Sequence, residues 1–250
     1  MRLLHFTRRC IHTSTDDTRQ LLRELLRESA QSVAVVTAIL PDTPRHPPAY
    51  HGATLSSFSS IALDPLPLVA FSLRVPSRMA SALNVHVASP SPSSAHFIIN
   101  ILSAAQPRLA TRFARPDLYP RPFADPDVHW TPDPQDGLPV FAGALGALSC
   151  RLVGPSVPLA RLGVSDSDSA LDAGTLAFKE TAAEEEGDVP QASAGSGLAS
   201  ELFIARVLRV ERVPVPVAKH DEGDAGLYGL PLLYHRRRYT TVEDDTKMKS

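Results

Sequence analysis

Proline sets the first limit on what this chain can fold into. There are 23 prolines in 250 residues, about 9% where roughly 5% is usual. Each fixes its own φ and brings no backbone N–H, which keeps it out of helix interiors and central strands. Pro41, Pro44, Pro47, Pro48, Pro65, Pro67, Pro90, Pro92, Pro120, Pro122, Pro132 and Pro134 fall between apolar runs. Long helices are therefore excluded, and the apolar runs at 33–40, 68–73, 97–102, 140–152 and 202–210 read as strands. The first is nearly continuous in apolar and β-branched residues, which suits a strand buried on both faces. Many short strands joined by proline loops predict a mainly β fold, a closed or half-closed barrel. Three helices complete the pattern. One spans about 16–29, with Leu21, Leu22, Leu25 and Leu26 on one face, and is expected to lie on the edge of the core. The others cover about 77–87 and about 104–114, the last with Pro107 in its first turn, where a missing N–H does no harm.

Apolar residues make up 43% of the chain, enough for one sizeable core, so residues 16–250 are expected to form one domain. A formal charge of -2 supplies no global basic field, which argues against nucleic acid or an anionic membrane as partner. No apolar run approaches the roughly 18 residues of a spanning helix. Cys10 and Cys150 stand without a Cys-x-x-Cys or a histidine cluster, so neither a disulfide framework nor a metal site organises the fold, and a reducing compartment is expected. Residues 1–15 hold no acid. They alternate Arg2, Arg8 and Arg9 with Leu3, Leu4, Phe6 and Ile11 ahead of Thr13, Ser14 and Thr15, the make-up of a mitochondrial transit peptide. Arg9-Cys10-Ile11-His12-Thr13-Ser14 resembles a matrix-processing pattern, which predicts a mature start near residue 11 or 19. Residues 155–199 read as a mobile acidic insertion between two strands, and 243–250 as a charged tail.

The densest polar cluster inside an apolar pattern is His51-Gly52-Ala53-Thr54-Leu55-Ser56-Ser57-Phe58-Ser59-Ser60. Hydroxyls and backbone N–H groups gathered at a strand end hold a phosphate or the polar edge of a heterocycle; the plainer reading is one wet strand face. A second candidate is Ser72-Leu73-Arg74-Val75-Pro76-Ser77-Arg78, a strand leaving into a helix capped by Ser77. The free N–H groups there, with Arg78 beside them, form a local anion site, against the alternative of a plain cap with a solvated arginine. Two neighbouring strand ends offering donors are what a phosphorylated cofactor requires.

His51-Gly-Ala-Thr-Leu-Ser-Ser-Phe-Ser-Ser-Ile-Ala-Leu-Asp-Pro-Leu-Pro-Leu-Val resembles the signature of the flavin reductase family. The likeness continues in order through 72–84, Phe97-Ile98-Ile99-Asn100-Ile101-Leu102-Ser103, 109–113, Trp130, Gly137-Leu138-Pro139, Ala147-Leu148-Ser149-Cys150 and Pro231-Leu232-Leu233-Tyr234. The resemblance implies an FMN-binding split β-barrel of Greek-key type with a few peripheral helices. It also implies a homodimer holding FMN, less often FAD, reduced by NADH or NADPH, with a small acceptor or a partner oxygenase downstream. By position it places Thr54, Ser56, Ser57, Ser60 and Ser72 against the flavin, Ser77 and Arg78 on its phosphate, and Asn84, Asn100 and Phe113 as neighbours. No catalytic residue is assigned, because the flavin carries the hydride chemistry, and Gly-x-Ser-x-Gly is absent. One departure stands out. Many members have Gly-Asp-His just before the strand at 202–207, with the histidine near the nicotinamide; here the stretch is Leu198-Ala199-Ser200-Glu201. His51 or His235 would have to substitute, or remain structural. Arg236-Arg237-Arg238 reads as a dinucleotide-phosphate site or a solvated turn. The alternative to a reductase is a barrel that binds flavin or another phosphorylated cofactor without nicotinamide turnover; a third reading is an interaction protein acting through the acidic insertion.

Overall fold

The computed structural model describes residues 15–40, 49–87, 94–163, 199–214 and 225–242. The leader (except Thr15), residues 164–198 of the acidic insertion and the tail 243–250 lie outside the described residues. The order of elements is α1 (Thr15–Arg27), β1 (Gln31–Ser32), β2 (Ala34–Leu40), β3 (Ala49–Leu55), β4 (Ser59–Ala62), β5 (Leu68–Val75), α2 (Arg78–Val87), β6 (Phe97–Ile101), α3 (Pro107–Ala114), β7 (Trp130–Pro132), β8 (Pro139–Phe141), β9 (Gly146–Leu152), β10 (Val157–Pro158), β11 (Ala199–Glu211), β12 (Leu233–His235) and β13 (Arg238–Thr240).

The main sheet is antiparallel, in the order β3-β2-β6-β9-β11-β5-β4, with β10 also paired to β11. Its two edge strands, β3 and β4, follow each other in the chain and are joined by residues 56–58. A link that short reaches on the order of 14 Å, so the sheet must curl until its edges nearly meet. This is the expected split barrel. Its interior holds Val36, Leu55, Phe71, Phe97, Ile99, Cys150 and Phe203, and α2 closes it with Met79, Ala80 and Leu83. Phe71 stands 5.5 Å from both Phe97 and Phe203. On the other side of β2, Val33 and Val35 pack with Leu102, Phe141, Leu232 and with Leu109 and Phe113 of α3. Both faces of β2 are thus covered, which explains its unbroken apolar sequence.

Four expectations need correction. The apolar run at 140–152 is two strands, β8 and β9, separated by a turn in which Gly143 has φ 76°, a region open to glycine. The cluster 51–60 likewise spans two strands, β3 and β4, that do not pair with each other. The insertion starts later than residue 155 and ends before 199, because β10 and the first residues of β11 pair as strands. Finally, α1 does not lie on the core: Leu21 is 55% and Leu25 69% exposed. With α2 on one face of β2 and α3 on the other, no sheet face near the N-terminus is left for it. It is held at its end, where Arg236 N donates to Arg27 O at 3.1 Å and the Arg236 guanidinium pairs with Glu28. The Glu28 carboxyl is held below its usual range mainly by that hydrogen bond.

Candidate functional site

The seam where the barrel is split carries the hydroxyl cluster. Ser57, in the link between β3 and β4, is locked to Ser72 of β5: Ser72 N donates to Ser57 Oγ at 3.0 Å, Ser72 Oγ donates to it at 3.2 Å, and Ser57 Oγ donates to Ser72 O at 3.3 Å. The lock holds the link against β5 and leaves Ser56, Ser57, Ser59 and Ser60 exposed. Beyond the end of β5, Ser77 caps α2, accepting from Ala80 N at 3.3 Å, as its sequence position predicts. Arg78 follows at the first helical position, exposed, and pairs with no carboxylate among the described residues. His51 of β3 lies close enough to feel it: burial, then the Arg78 charge, lowers the His51 pKa from its usual value. A neutral imidazole, an uncompensated guanidinium, the first N–H groups of α2 and a row of serines therefore gather around the seam.

The other expected residues sit elsewhere. Thr54 Oγ1 donates to Ala110 O at 2.6 Å, tying β3 to α3, so its proton is already committed. Asn84 Nδ2 donates to Glu201 Oε2 at 3.1 Å, and Ser156 Oγ donates to the same oxygen at 2.8 Å; Glu201, one of the residues standing where the family motif has Gly-Asp-His, thus anchors α2 and the β10 turn to β11. Asn100 is fully buried. Its Nδ2 donates to Thr37 Oγ1 at 3.2 Å, Pro139 O at 3.3 Å and Val35 O at 3.4 Å, while its Oδ1 accepts from Phe141 N at 3.0 Å. No amide group is left for a ligand. Phe113 is buried in an aromatic cluster with Phe123 at 5.0 Å and Phe141 at 5.1 Å. Arg236 and Arg237 form the β12–β13 turn at φ 48° and 64°, and His235 is the last residue of β12; Arg236 bonds to Arg27 and Glu28 at the end of α1, and His235 pairs with Arg238. Cys150 is no nucleophile, since burial pushes its thiol pKa well up.

What the sequence reading missed is the mutual locking. The Ser57–Ser72 bond joins residues 15 apart, and no local spacing announces it. The signal available was the pairing of two serines in two separately noted motifs. The donor set fits a phosphorylated, heterocyclic cofactor: hydroxyls and helix N–H groups for oxygen atoms, and in Arg78 a fork that matches a phosphate.

Known proteins agree with that chemistry. The chain is 35% identical over 157 residues to an NADPH-flavin oxidoreductase of Streptomyces viridifaciens, an alignment that takes in 62% of this chain and 71% of the relative. It is 38% identical over 130 residues to the FMN reductase (NADH) SmoA of Agrobacterium fabrum, covering 52% of this chain and 62% of that protein, less than two thirds of its length. In structure it resembles BorF, the flavin reductase component of a bacterial two-component tryptophan halogenase, with TM-score 0.51, 22% identity and coverage of 90% of this chain and 99% of that one. The model of the flavin reductase like domain matches residues 26–243, a span that takes in every described strand, and the chain belongs to that family.

Proposed function

We propose that this chain is an FMN-dependent NAD(P)H:flavin oxidoreductase whose cofactor lies along the barrel seam. The observation that carries the reading is Arg78: an exposed guanidinium without a carboxylate partner among the described residues, at a helix N-terminus, with its charge felt by His51 of β3. Flavin supplies the hydride-accepting chemistry when bound. The chain's own part is to bind and orient. Arg78 and the α2 N–H groups neutralise the phosphate, which carries about -1.5 to -2 charge at neutral pH. Ser56, Ser57 and Ser60 offer directional donors to the polar edge of the ring system, and Ser72 holds Ser57 in place. His51, kept neutral by burial and by Arg78, adds a hydrogen-bonding group without adding charge. Thr54, through Ala110 O, and Phe113, packed against Gly52, hold β3 in place.

The relatives favour NADPH or NADH as reductant without choosing between them, and FAD in place of FMN stays within the same donor chemistry. A partner oxygenase as the consumer of reduced flavin belongs to the same proposal, as does a homodimer. For the latter, antiparallel apposition of two α1 helices would set Leu21 against Leu26, Leu22 against Leu25 and Arg23 against Glu24. The second reading, a flavin-binding barrel without nicotinamide turnover, rests on Ala199-Ser200-Glu201 standing in place of Gly-Asp-His. The deciding experiment is the visible spectrum of the chain reconstituted with FMN, before and after anaerobic NADH and then NADPH. Bleaching at a catalytic rate supports the reductase; a yellow spectrum that neither nucleotide bleaches supports the second reading; absence of flavin uptake overturns both.

A further inference from the structure

Three basic side chains stand abreast across the main sheet, near the end of α2 opposite Arg78. α2 is ten residues long, about 15 Å, so this place is distinct from the seam. His96 N donates to Cys150 O at 2.8 Å, one residue before Phe97 pairs with Cys150, which sets His96 across from Arg151. Arg151 in turn pairs in register with Arg206 of β11. Like charges directly opposite on neighbouring strands are destabilising. Yet neither arginine has a carboxylate partner among the described residues. Asp136, which accepts from Ala95 N at 3.1 Å beside His96, is paired with Arg209.

His96 is only 3% exposed. Leu152 N donates to its Nδ1 at 3.4 Å, so the neutral ring carries its proton on Nε2. Among the described residues that buried N–H has no acceptor, and neither does the buried Nη1 of Arg151. An unmet buried donor is costly and uncommon; two of them beside an unpaired arginine row lack an anion. His86 stacks on His96 at 6.1 Å, its Nε2 2.7 Å from Ile39 O. Burial, followed by the Arg151 charge and then His86, holds the His96 pKa down at about 4.

We propose that His96, Arg151 and Arg206 form a second anion site, which takes a phosphate monoester or inorganic phosphate. Its dianion would accept from His96 Nε2 and Arg151 Nη1 and would separate the two guanidinium charges. Two phosphate sources share this chemistry: the free ion, and the 2′-phosphate of a dinucleotide.

The test uses the full chain saturated with FMN in buffer free of phosphate and sulfate. Inorganic phosphate, ADP-ribose and 2′-phospho-ADP-ribose are titrated separately, with calorimetry and thermal denaturation as readouts. Phosphate in at least one form should bind and raise Tm. Arg151→Gln and Arg206→Gln should each cut that affinity at least tenfold while raising Tm in the absence of phosphate, because repulsion is relieved; a purely structural arginine would lower it. Arg206 is exposed, so its variant tests the site even if Arg151→Gln fails to fold. A response to inorganic phosphate alone identifies the free ion, and a response to the 2′-phosphate but not to plain ADP-ribose identifies the dinucleotide. No response to either phosphate, or a response unchanged in Arg206→Gln, overturns the site. Retention of FMN by Arg206→Gln separates this result from failure of the flavin reading.

Discussion

A methyl group added at Gly52 has no room: a Cβ there would lie 2.5 and 2.6 Å from two ring carbons of Phe113. Phe113 is itself wedged against Phe123 and Phe141. Gly52→Ala should therefore cost about 1–3 kcal/mol, the range for overpacking a filled core, measured as a lower denaturation midpoint; Gly52→Ala with Phe113→Leu should recover part of it. His96 supplies a prediction in pH. Its folded pKa is about 4 against a usual 6.5, so between those values the unfolded chain binds more protons and stability falls as pH falls. Denaturation midpoints should drop from pH 6.5 to pH 4, and His96→Gln should flatten that part of the curve; an unchanged slope would remove His96 as its cause. At this scale the sequence was legible where a role is local. Ser77 as a cap follows from its place before a helix. Thr54 and Asn100 were not legible, because their partners, Ala110 O, Pro139 O and Phe141 N, are brought in by other elements.

Elements were read well where period and punctuation agreed. β2, β6, α2 and α3 fall where apolar runs and proline put them. The division of 140–152 was hidden because Gly143 reverses the chain inside an apolar string, which looks continuous in composition. α1 was right as a helix and wrong in place, since amphipathicity reports that one face is to be covered and not by what. Two leucines on its exposed face carry the dimer prediction: Leu22→Glu with Leu25→Glu should shift a homodimer to monomer by light scattering, while the barrel's circular dichroism is retained. A monomeric parent, or a dimer indifferent to both changes, would remove α1 from the interface. The Ser57–Ser72 lock gives a test on the link between strands. Ser57→Ala should cost about 0.5–1.5 kcal/mol and speed hydrogen exchange at the Ser72 amide, which donates to Ser57 Oγ.

For the whole molecule, the curl of the sheet is what turns separate motifs into one candidate site. It brings β3 and β4, the two unpaired edges, towards each other, carries the hydroxyl link onto β5, and sets the N-terminus of α2 near His51. Binding at that seam must stabilise the folded chain by mass action, by about 2.7 kcal/mol when ligand is a hundredfold above Kd. FMN should therefore raise Tm. Arg78→Ala should shrink that rise and weaken FMN retention by the roughly 1.5–3 kcal/mol of a charge-assisted contact, read by flavin fluorescence. Equal rises in both proteins would move the phosphate elsewhere. The sequence by itself determined the class of fold, the short strands, the three helices and the two donor-rich motifs, because proline spacing, hydrophobic period and capping act within a few residues. Only the tertiary structure decided which side chains remain available to a ligand. Ser57 and Arg78 stay exposed, Thr54 and Asn100 spend their polar atoms on the chain itself, and His96 and Arg151 keep donors unpaired among the described residues. Hydrogen-bond satisfaction is settled by partners distant in the chain, and distance along the sequence carries no record of them.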